Sequence, residues 1–254
     1  NLIKILETLP ALELETILDL SGNGVTRLKV DAATRKQGET SVHWREGEGQ
    51  MLFDRDWKRI KFDFHLPLFT IDSARGTIVV KDTRLSSDMT EGLAGYMFGR
   101  NSLSVARITM DPFMEILNIR LSVFAQSKGK FVTLNFSYGT ESLLIAKNKY
   151  GPGKINIAIR NLDTKTLGQF EQDINKITSR ELPKEQSQLM IAGKTLELAG
   201  KLSRFNPELE ITRLIFTAPG GDLTGKAQFV LQGKDVDLSA NPMLLLTALK
   251  GAAE

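Results

Sequence analysis

Alternation of apolar and polar residues, with a period of two, runs through the first 160 residues and most constrains the fold of this chain. In residues 61–66, for example, Phe62, Phe64 and Leu66 alternate with lysine, aspartate and histidine. This period is typical of strands that bury one face. The polar residues between the apolar ones indicate that the other face meets water, which favours antiparallel pairing over a doubly wound parallel sheet.

Turn residues divide the alternating segments into hairpins. Residues 11–31 read as one hairpin, because two alternating runs flank Ser21-Gly22-Asn23-Gly24. Further breaks stand at Ser127-Lys128-Gly129-Lys130 and at Gly151-Pro152-Gly153. A late hairpin is predicted after Pro207, with its turn at Ala218-Pro219-Gly220-Gly221 and a bulge near Thr212.

Two helices are predicted between the alternating regions. Leu167, Phe170, Ile174 and Ile177 form one helical stripe, and Asp163 is a suitable N-cap. A second helix is expected to begin near Pro183 and a third at Asn241-Pro242. The inward face of the second is predicted to carry Leu189, Ala192, Leu196, Ala199 and Leu202.

The fold class predicted from these patterns is α+β. We expect a large twisted antiparallel sheet or open β-wrap, with a helix pair packed on it and a late hairpin. Residues 1–160 form the β-rich region, and residues 161–254 contain the helices and the hairpin, continuous with the first region.

Composition argues against several functional classes. The formal net charge is only +3, and the cations are scattered among acids, so we expect no nucleic-acid partner. There is no cysteine, which rules out thiolate metal sites and cysteine nucleophiles. No run of about 18 apolar residues is present, so we expect membrane attachment only through a segment absent from this chain.

No motif in the chain predicts an enzyme or a cofactor. Residues 220–227 approach a phosphate-binding loop, but Ala227 replaces the required serine or threonine and a strand pattern follows, so a hairpin turn is the better interpretation. The two histidines, His43 and His65, lie on polar positions of strands and are interpreted as solvated or cross-strand residues. We therefore expect no catalytic, cofactor or metal residues.

An apolar groove is the one candidate site that the sequence suggests. The aromatic stripe in residues 62–69 and the glycine-rich apolar segment Gly92–Gly99 are its components. Its candidate residues are Phe62, Phe64, Leu66, Phe69, Tyr96 and Phe98. The alternative is that these side chains are ordinary sheet core, because alternating aromatics are what any sheet buries.

Four stretches of the chain resemble the YdgA-like family of bacterial envelope proteins, whose function is unknown. They are LELETILDLSGNGVTRLKV, DWKRIKFDFHLPLFTIDSARGTIVVKDTRL, YGPGKINIAIRNLDTKTLGQF and NPELEITRLIFTAPGGDLTGKAQFVL. The resemblance implies a longer protein with an N-terminal membrane-anchoring helix, of which this chain is a central portion. It also implies a location on the periplasmic face of the bacterial inner membrane.

Two functional hypotheses follow. The first is a non-enzymatic envelope scaffold or interaction module that meets a second copy or another envelope protein. The second is a module that binds or transports a lipid or another hydrophobic ligand in the apolar groove. An enzyme of unrecognised type is a third class, which the lack of converging polar residues disfavours.

Overall fold

The computed structural model describes residues 12–180, 183–233 and 249–254, and in them sixteen strands form one antiparallel sheet. The strands are β1 Leu12–Leu18, β2 Gly24–Val30, β3 Ala33–Gln37, β4 Thr40–Trp44, β5 Gly47–Phe53, β6 Arg59–Ser73, β7 Gly76–Glu91, β8 Met97–Met110, β9 Met114–Lys128, β10 Phe131–Thr140, β11 Ser142–Ile145, β12 Asn148–Tyr150, β13 Gly153–Asp163, β14 Glu208–Ala218, β15 Gly221–Leu231 and β16 Leu249–Ala253. Two helices, α1 Thr164–Thr178 and α2 Lys184–Ser203, and a short 3-10 turn, Leu93–Gly95, complete the fold.

Twelve of the strands form one continuous open sheet. Their order is β1-β2-β5-β6-β7-β8-β9-β10-β13-β14-β15-β16, so most neighbours in space are neighbours in the chain. At about 4.8 Å per strand, this main sheet is roughly 50 Å wide. The α+β class, the open antiparallel sheet and the late hairpin are confirmed.

The central strands extend beyond the main sheet and carry a smaller extension. β6 pairs with β5 through its first half and with β4 through its second. β9 pairs with β11 through its first residues and with β10 through the rest of its length. Asp82 and Asn118 lie at this junction with φ near +52° and +53°, which interrupts the extended backbone. The chain can therefore change direction there without losing the register on either side.

The helix predictions are largely confirmed. The Asp163 side chain accepts a hydrogen bond from the Thr166 amide at 2.9 Å, which is the predicted N-cap. The inward face predicted for α2 is wrong in part, because Leu189 is 75% exposed and Leu196 37% exposed. Leu202, which was predicted to lie on this face, packs in the helix cluster, and so does Leu198, which was not predicted. The helix expected at Pro242 lies outside the described residues.

Both late features of the β pattern are confirmed. The register between β14 and β15 shifts between Ile211 and Leu214, which is the bulge predicted near Thr212. Residues 221–227 belong to β15, so the segment that resembles a phosphate-binding loop is part of a hairpin.

Candidate functional site

The strand register divides the side chains of the main sheet between two faces. Residues directly opposite each other on neighbouring antiparallel strands point to the same side. The row that contains Phe64 is apolar or glycine on every strand from β1 to β15. It reads Leu14, Leu28, Gly49, Phe64, Leu85, Leu103, Leu121, Tyr138, Ile155, Leu214 and Gly225.

A second apolar row lies on the same face, four residues along each of the early strands. It reads Leu18, Gly24, Phe53, Ile60, Met89, Gly99, Ala125, Leu134, Ile159, Leu209, Phe229 and Gly251. The row between them is mostly apolar and includes Phe62, Val123 and Phe136. We call the side of the sheet that carries these three rows the apolar face.

The opposite side carries charged and hydroxyl side chains, and we call it the polar face. One of its rows reads Glu13, Lys29, Glu48, His65, Arg84, Ser104, Arg120, Gly139 and Lys154. The adjacent row reads Glu15, Arg27, Gln50, Asp63, Ser86, Ser102, Ser122, Ser137, Asn156 and Arg213. The alternation in the sequence is therefore preserved along these two rows. The next row of the polar face mixes apolar and charged residues and reads Ile17, Val25, Leu52, Lys61, Asp88, Arg100 and Phe124.

A second layer covers the apolar face in two places. In the first, the buried Val42 and Trp44 of β4 pack against Val30 and Leu66, both of which point to the apolar face. We call this group the Trp44 cluster. The Trp44 indole donates a hydrogen bond to the Asp31 carbonyl at 2.8 Å.

The helix pair provides the second cover. Val132, Leu162 and Leu202 are buried together, with Leu198 and Ile159 packed against them. Leu134, Phe98 and Leu167 also belong to this group, which we call the helix cluster. Lys194 of α2 bridges to Asp173 of α1 at 3.0 Å and to Glu197 at 2.7 Å, so an ion-pair network ties the helices together.

Between the two clusters the apolar face is uncovered by any described residue. Leu85 is 39% exposed, Leu121 40% and Phe136 36%, although all three lie on central strands. Leu14, near the edge of the sheet, is 59% exposed. We call this uncovered region the open centre. Apolar patches of this extent on a protein surface usually mark a binding site.

The six residues predicted to line a groove are distributed over three places. Phe62, Phe64 and Leu66 lie side by side on the apolar face of β6. Phe69 belongs to the Trp44 cluster and Phe98 to the helix cluster. Tyr96 stands beside α1, where burial and then a hydrogen bond with Glu171 raise the pKa of its phenol. Their role in binding a hydrophobic ligand stays a prediction.

The polar face carries an open trough that the sequence analysis did not predict. It consists of two adjoining hollows of about 960 and 620 Å³, which share Ser102 and Ser104. Small serine side chains form its floor between longer charged side chains on both sides. Arg84 lines the first hollow, and Arg120 and Lys154 line the second. The only sequence signal for this trough is the repeated serine at polar positions of β7 to β10.

Other candidate sites find no support in the described ranges. His43 contacts Thr34 of the neighbouring strand at 3.0 Å, and His65 contacts Asp82 at 3.3 Å, as the cross-strand interpretation predicted. In residues 12–180, 183–233 and 249–254, no three acidic or histidine side chains lie close enough to hold a metal ion. Neither described helix is long and apolar enough to cross a bilayer.

Comparison with known proteins points to one family. The family model described as "Bacterial protein of unknown function (DUF945)" matches residues 2–254. A curated relative, "Protein YdgA" of Escherichia coli (strain K12), is 23% identical over 220 residues, covering 81% of this chain and 41% of the relative. The chain thus spans about two fifths of the length of that relative. No solved structure matches the chain.

Proposed function

This chain belongs to the DUF945 family of bacterial proteins of unknown function, and from that premise we propose that it is a non-enzymatic scaffold of the cell envelope. The membership confirms the resemblance to YdgA-like proteins. In this proposal the open centre of the apolar face binds a second copy of the chain. The observation that carries the proposal is the uncovered apolar surface between the Trp44 cluster and the helix cluster.

The apolar rows support a protein partner, because they continue through the open centre from one covered region of the sheet to the other. Two sheets packed face to face are also the usual means of covering an apolar sheet surface.

Adjacent residues of β9 provide the test. Leu121 points to the apolar face and Arg120 to the polar face, so Leu121→Asp and Arg120→Asp place the same new carboxylate on opposite sides of the sheet. We expect sedimentation velocity to show a dimer for the parent protein and for Arg120→Asp, and a monomer for Leu121→Asp. A parent protein that is monomeric at ~100 μM, far above the usual range of stable dimers, would contradict the proposal.

A lipid-binding module is the second candidate function. The observation that favours it is the continuity of the apolar rows, which run across the sheet without a charged side chain. An acyl chain laid on these rows would gain about 0.8 kcal/mol for each methylene removed from water. Phe62, Phe64 and Leu66 would be part of the contact surface.

Native mass spectrometry followed by organic extraction separates the two candidates. A lipid that co-purifies in stoichiometric amount with a monomer, and is lost in Phe64→Glu, would replace the scaffold proposal with the lipid one. His65→Glu is the matched control, because His65 is the next residue of β6 and points to the polar face. Circular dichroism of both variants checks that the sheet is retained.

We also propose that the protein acts on the periplasmic face of the inner membrane. The support is the resemblance to the YdgA-like envelope family. The test is protease accessibility of the full-length protein in its own bacterium. Digestion in spheroplasts but not in intact cells is expected, whereas resistance in spheroplasts and digestion only after lysis would place it in the cytoplasm.

A further inference from the structure

Three cations lie on one row of the polar face, at every second strand. Arg84 of β7 pairs with Ser104 of β8, and Ser104 pairs with Arg120 of β9. Arg120 then pairs with Gly139 of β10, and Gly139 with Lys154 of β13. Because neighbouring strands are about 4.8 Å apart, successive cations are separated by roughly 10 Å and the whole row spans roughly 19 Å.

These cations lie on a part of the polar face where, from β7 to β13, the two rows described above carry no acidic residue. Ion pairs are found elsewhere on the sheet. Lys61 pairs with Asp88 at 3.0 Å, and Arg160 pairs with Glu208 at 2.8 Å. Arg84, Arg120 and Lys154 form no ion pair in the part of the chain that the structure describes. Each lines the trough, whose two ends differ in charge. Acidic side chains line the end nearer β1, namely Glu13, Glu15, Glu46, Glu48 and Asp63. At the other end, formed by β7 to β13, the lining acid is Glu141, which accepts a hydrogen bond from Asn118, so the positive charge of the three cations is concentrated at that end.

Hydroxyl groups accompany the cations along the trough. Ser86 and Ser102 share a hydrogen bond of 2.7 Å between their Oγ atoms, and Ser137 donates to Asn156 at 2.8 Å. Each serine hydroxyl offers one donor and two acceptor positions, so the row keeps unused hydrogen-bonding capacity toward the trough. An elongated ligand with both hydroxyl groups and spaced anionic groups would satisfy both rows.

We propose that the end of the trough formed by β7 to β13 binds an extended anionic polysaccharide, whose carboxylate or phosphate groups meet Arg84, Arg120 and Lys154. A nucleic acid is a poorer match, because this end offers bases little to stack on. Of the two ring-bearing residues among the trough residues, Phe64 points its side chain to the apolar face, and His65 lies on β6, beside the acidic end.

This site is independent of the proposed scaffold function, because it uses the opposite face of the sheet. The probe is fluorescently labelled oligogalacturonate, which carries one carboxylate on each sugar, in an anisotropy titration at low salt. Neutral malto-oligosaccharide and oligo(dT) of matched length are titrated in parallel. We expect oligogalacturonate to bind, the neutral sugar not to bind, and oligo(dT) to bind more weakly.

A charge-matched pair of double variants tests the row itself. Arg120→Gln with Lys154→Gln removes two trough cations, and Lys147→Gln with Lys149→Gln removes two exposed cations from the β11–β12 hairpin. Each double variant lowers the formal net charge from +3 by two, to +1. The trough variant should bind oligogalacturonate roughly tenfold more weakly, as two partly screened charge contacts are lost, while the hairpin variant should bind like the parent.

Three results would overturn the inference. One is the absence of oligogalacturonate binding at millimolar probe, and another is an equal loss of affinity in both double variants, which would show only a net-charge effect. The third is tighter binding of oligo(dT), abolished in the trough variant, which would identify a nucleic-acid site instead. Both double variants replace exposed or partly exposed side chains, and their unfolding midpoints in urea are measured to confirm an intact fold.

Discussion

The covered and uncovered parts of the apolar face are built from the same kind of sequence but differ in packing. Ile159 of β13, in the helix cluster, and Leu121 of β9, in the open centre, are both apolar residues in alternating strands. Ile159 packs beneath α1 and α2, whereas Leu121 is 40% exposed. The difference lies in what covers each residue and not in the strand that carries it.

This contrast teaches that the fold and the candidate binding surface depend on different residues. The Trp44 cluster and the helix cluster contain five of the eight buried apolar residues in the described ranges, Val105, Ala158 and Ile177 being the others, so they contribute much of the packing energy. The open centre contributes less to stability and more exposed apolar area. Substitutions in the two kinds of region should therefore separate loss of stability from loss of binding.

The largest expected difference in stability is between substitutions at the two tryptophans. Trp44 is 5% exposed and donates a hydrogen bond to Asp31, whereas Trp57 is 50% exposed and stacks on Phe53 at 4.1 Å. Trp44→Ala should lower the free energy of unfolding by about 3–5 kcal/mol, through the cavity and the unpaired carbonyl. Trp57→Ala should cost about 1 kcal/mol, the typical value of an exposed aromatic pair. Urea denaturation measures both, and equal costs would contradict the importance of the Trp44 cluster.

Two leucines make the same comparison between the helix cluster and the open centre. Leu202 is 8% exposed under the helix pair, and Leu202→Ala should cost about 2–5 kcal/mol. Leu121→Ala should cost less than about 1 kcal/mol in the monomer, because much of this side chain is already in water. The measurement is urea unfolding at sub-micromolar protein. A large cost for Leu121→Ala under these conditions would mean that the open centre is covered within the monomer.

The sequence could predict features that depend on residues close to one another in the chain. The alternation in β6 placed Phe62, Phe64 and Leu66 on one face, and the structure confirms this. The N-cap at Asp163 was equally predictable, because capping depends on residues that are neighbours in the sequence. The inward face predicted for α2 was right for Leu202 and wrong for Leu196. Apolar residues lie on more than one side of this helix, so the helical period alone cannot choose between Leu196 and Leu198.

The trough shows why the rest could not be predicted. Ser86, Ser102, Ser122 and Ser137 stand beside one another in space but are separated by 15 to 20 residues of sequence. Their alignment depends on the pairing register of each hairpin, and a shift of one residue would move each serine to the other face. No local pattern reports that register. The same dependence hides the row of Arg84, Arg120 and Lys154.

The N-cap of α1 tests how the helix cluster is held over the sheet. Asp163 is buried and accepts hydrogen bonds from the Thr166 amide and hydroxyl, each at 2.9 Å. Asp163→Ala should lower the free energy of unfolding by about 1–2 kcal/mol, since it leaves helix amides without an acceptor. Asp163→Asn retains an acceptor and should cost less. If both variants unfold at the parent's urea concentration, the cap does not hold the helix pair in place.

The smallest expected effect is the loss of stability at low pH. It should involve the ion pairs of the helix pair more than the cations of the trough. Hydrogen bonds from Lys194 and then Lys201 hold the pKa of Glu197 at about 2, below its ordinary value of 4.5. A carboxylate with a lowered pKa stabilises the fold above its unfolded pKa, and this contribution is lost as the pH falls from about 4.5 toward 2. The urea midpoint of the parent should therefore fall more over this range than that of Glu197→Gln. Arg84 and Arg120 have no acidic partner among the described residues. Arg120→Gln should therefore leave the pH dependence of the urea midpoint unchanged. A change as large as that caused by Glu197→Gln would mean that Arg120 is paired with an acid.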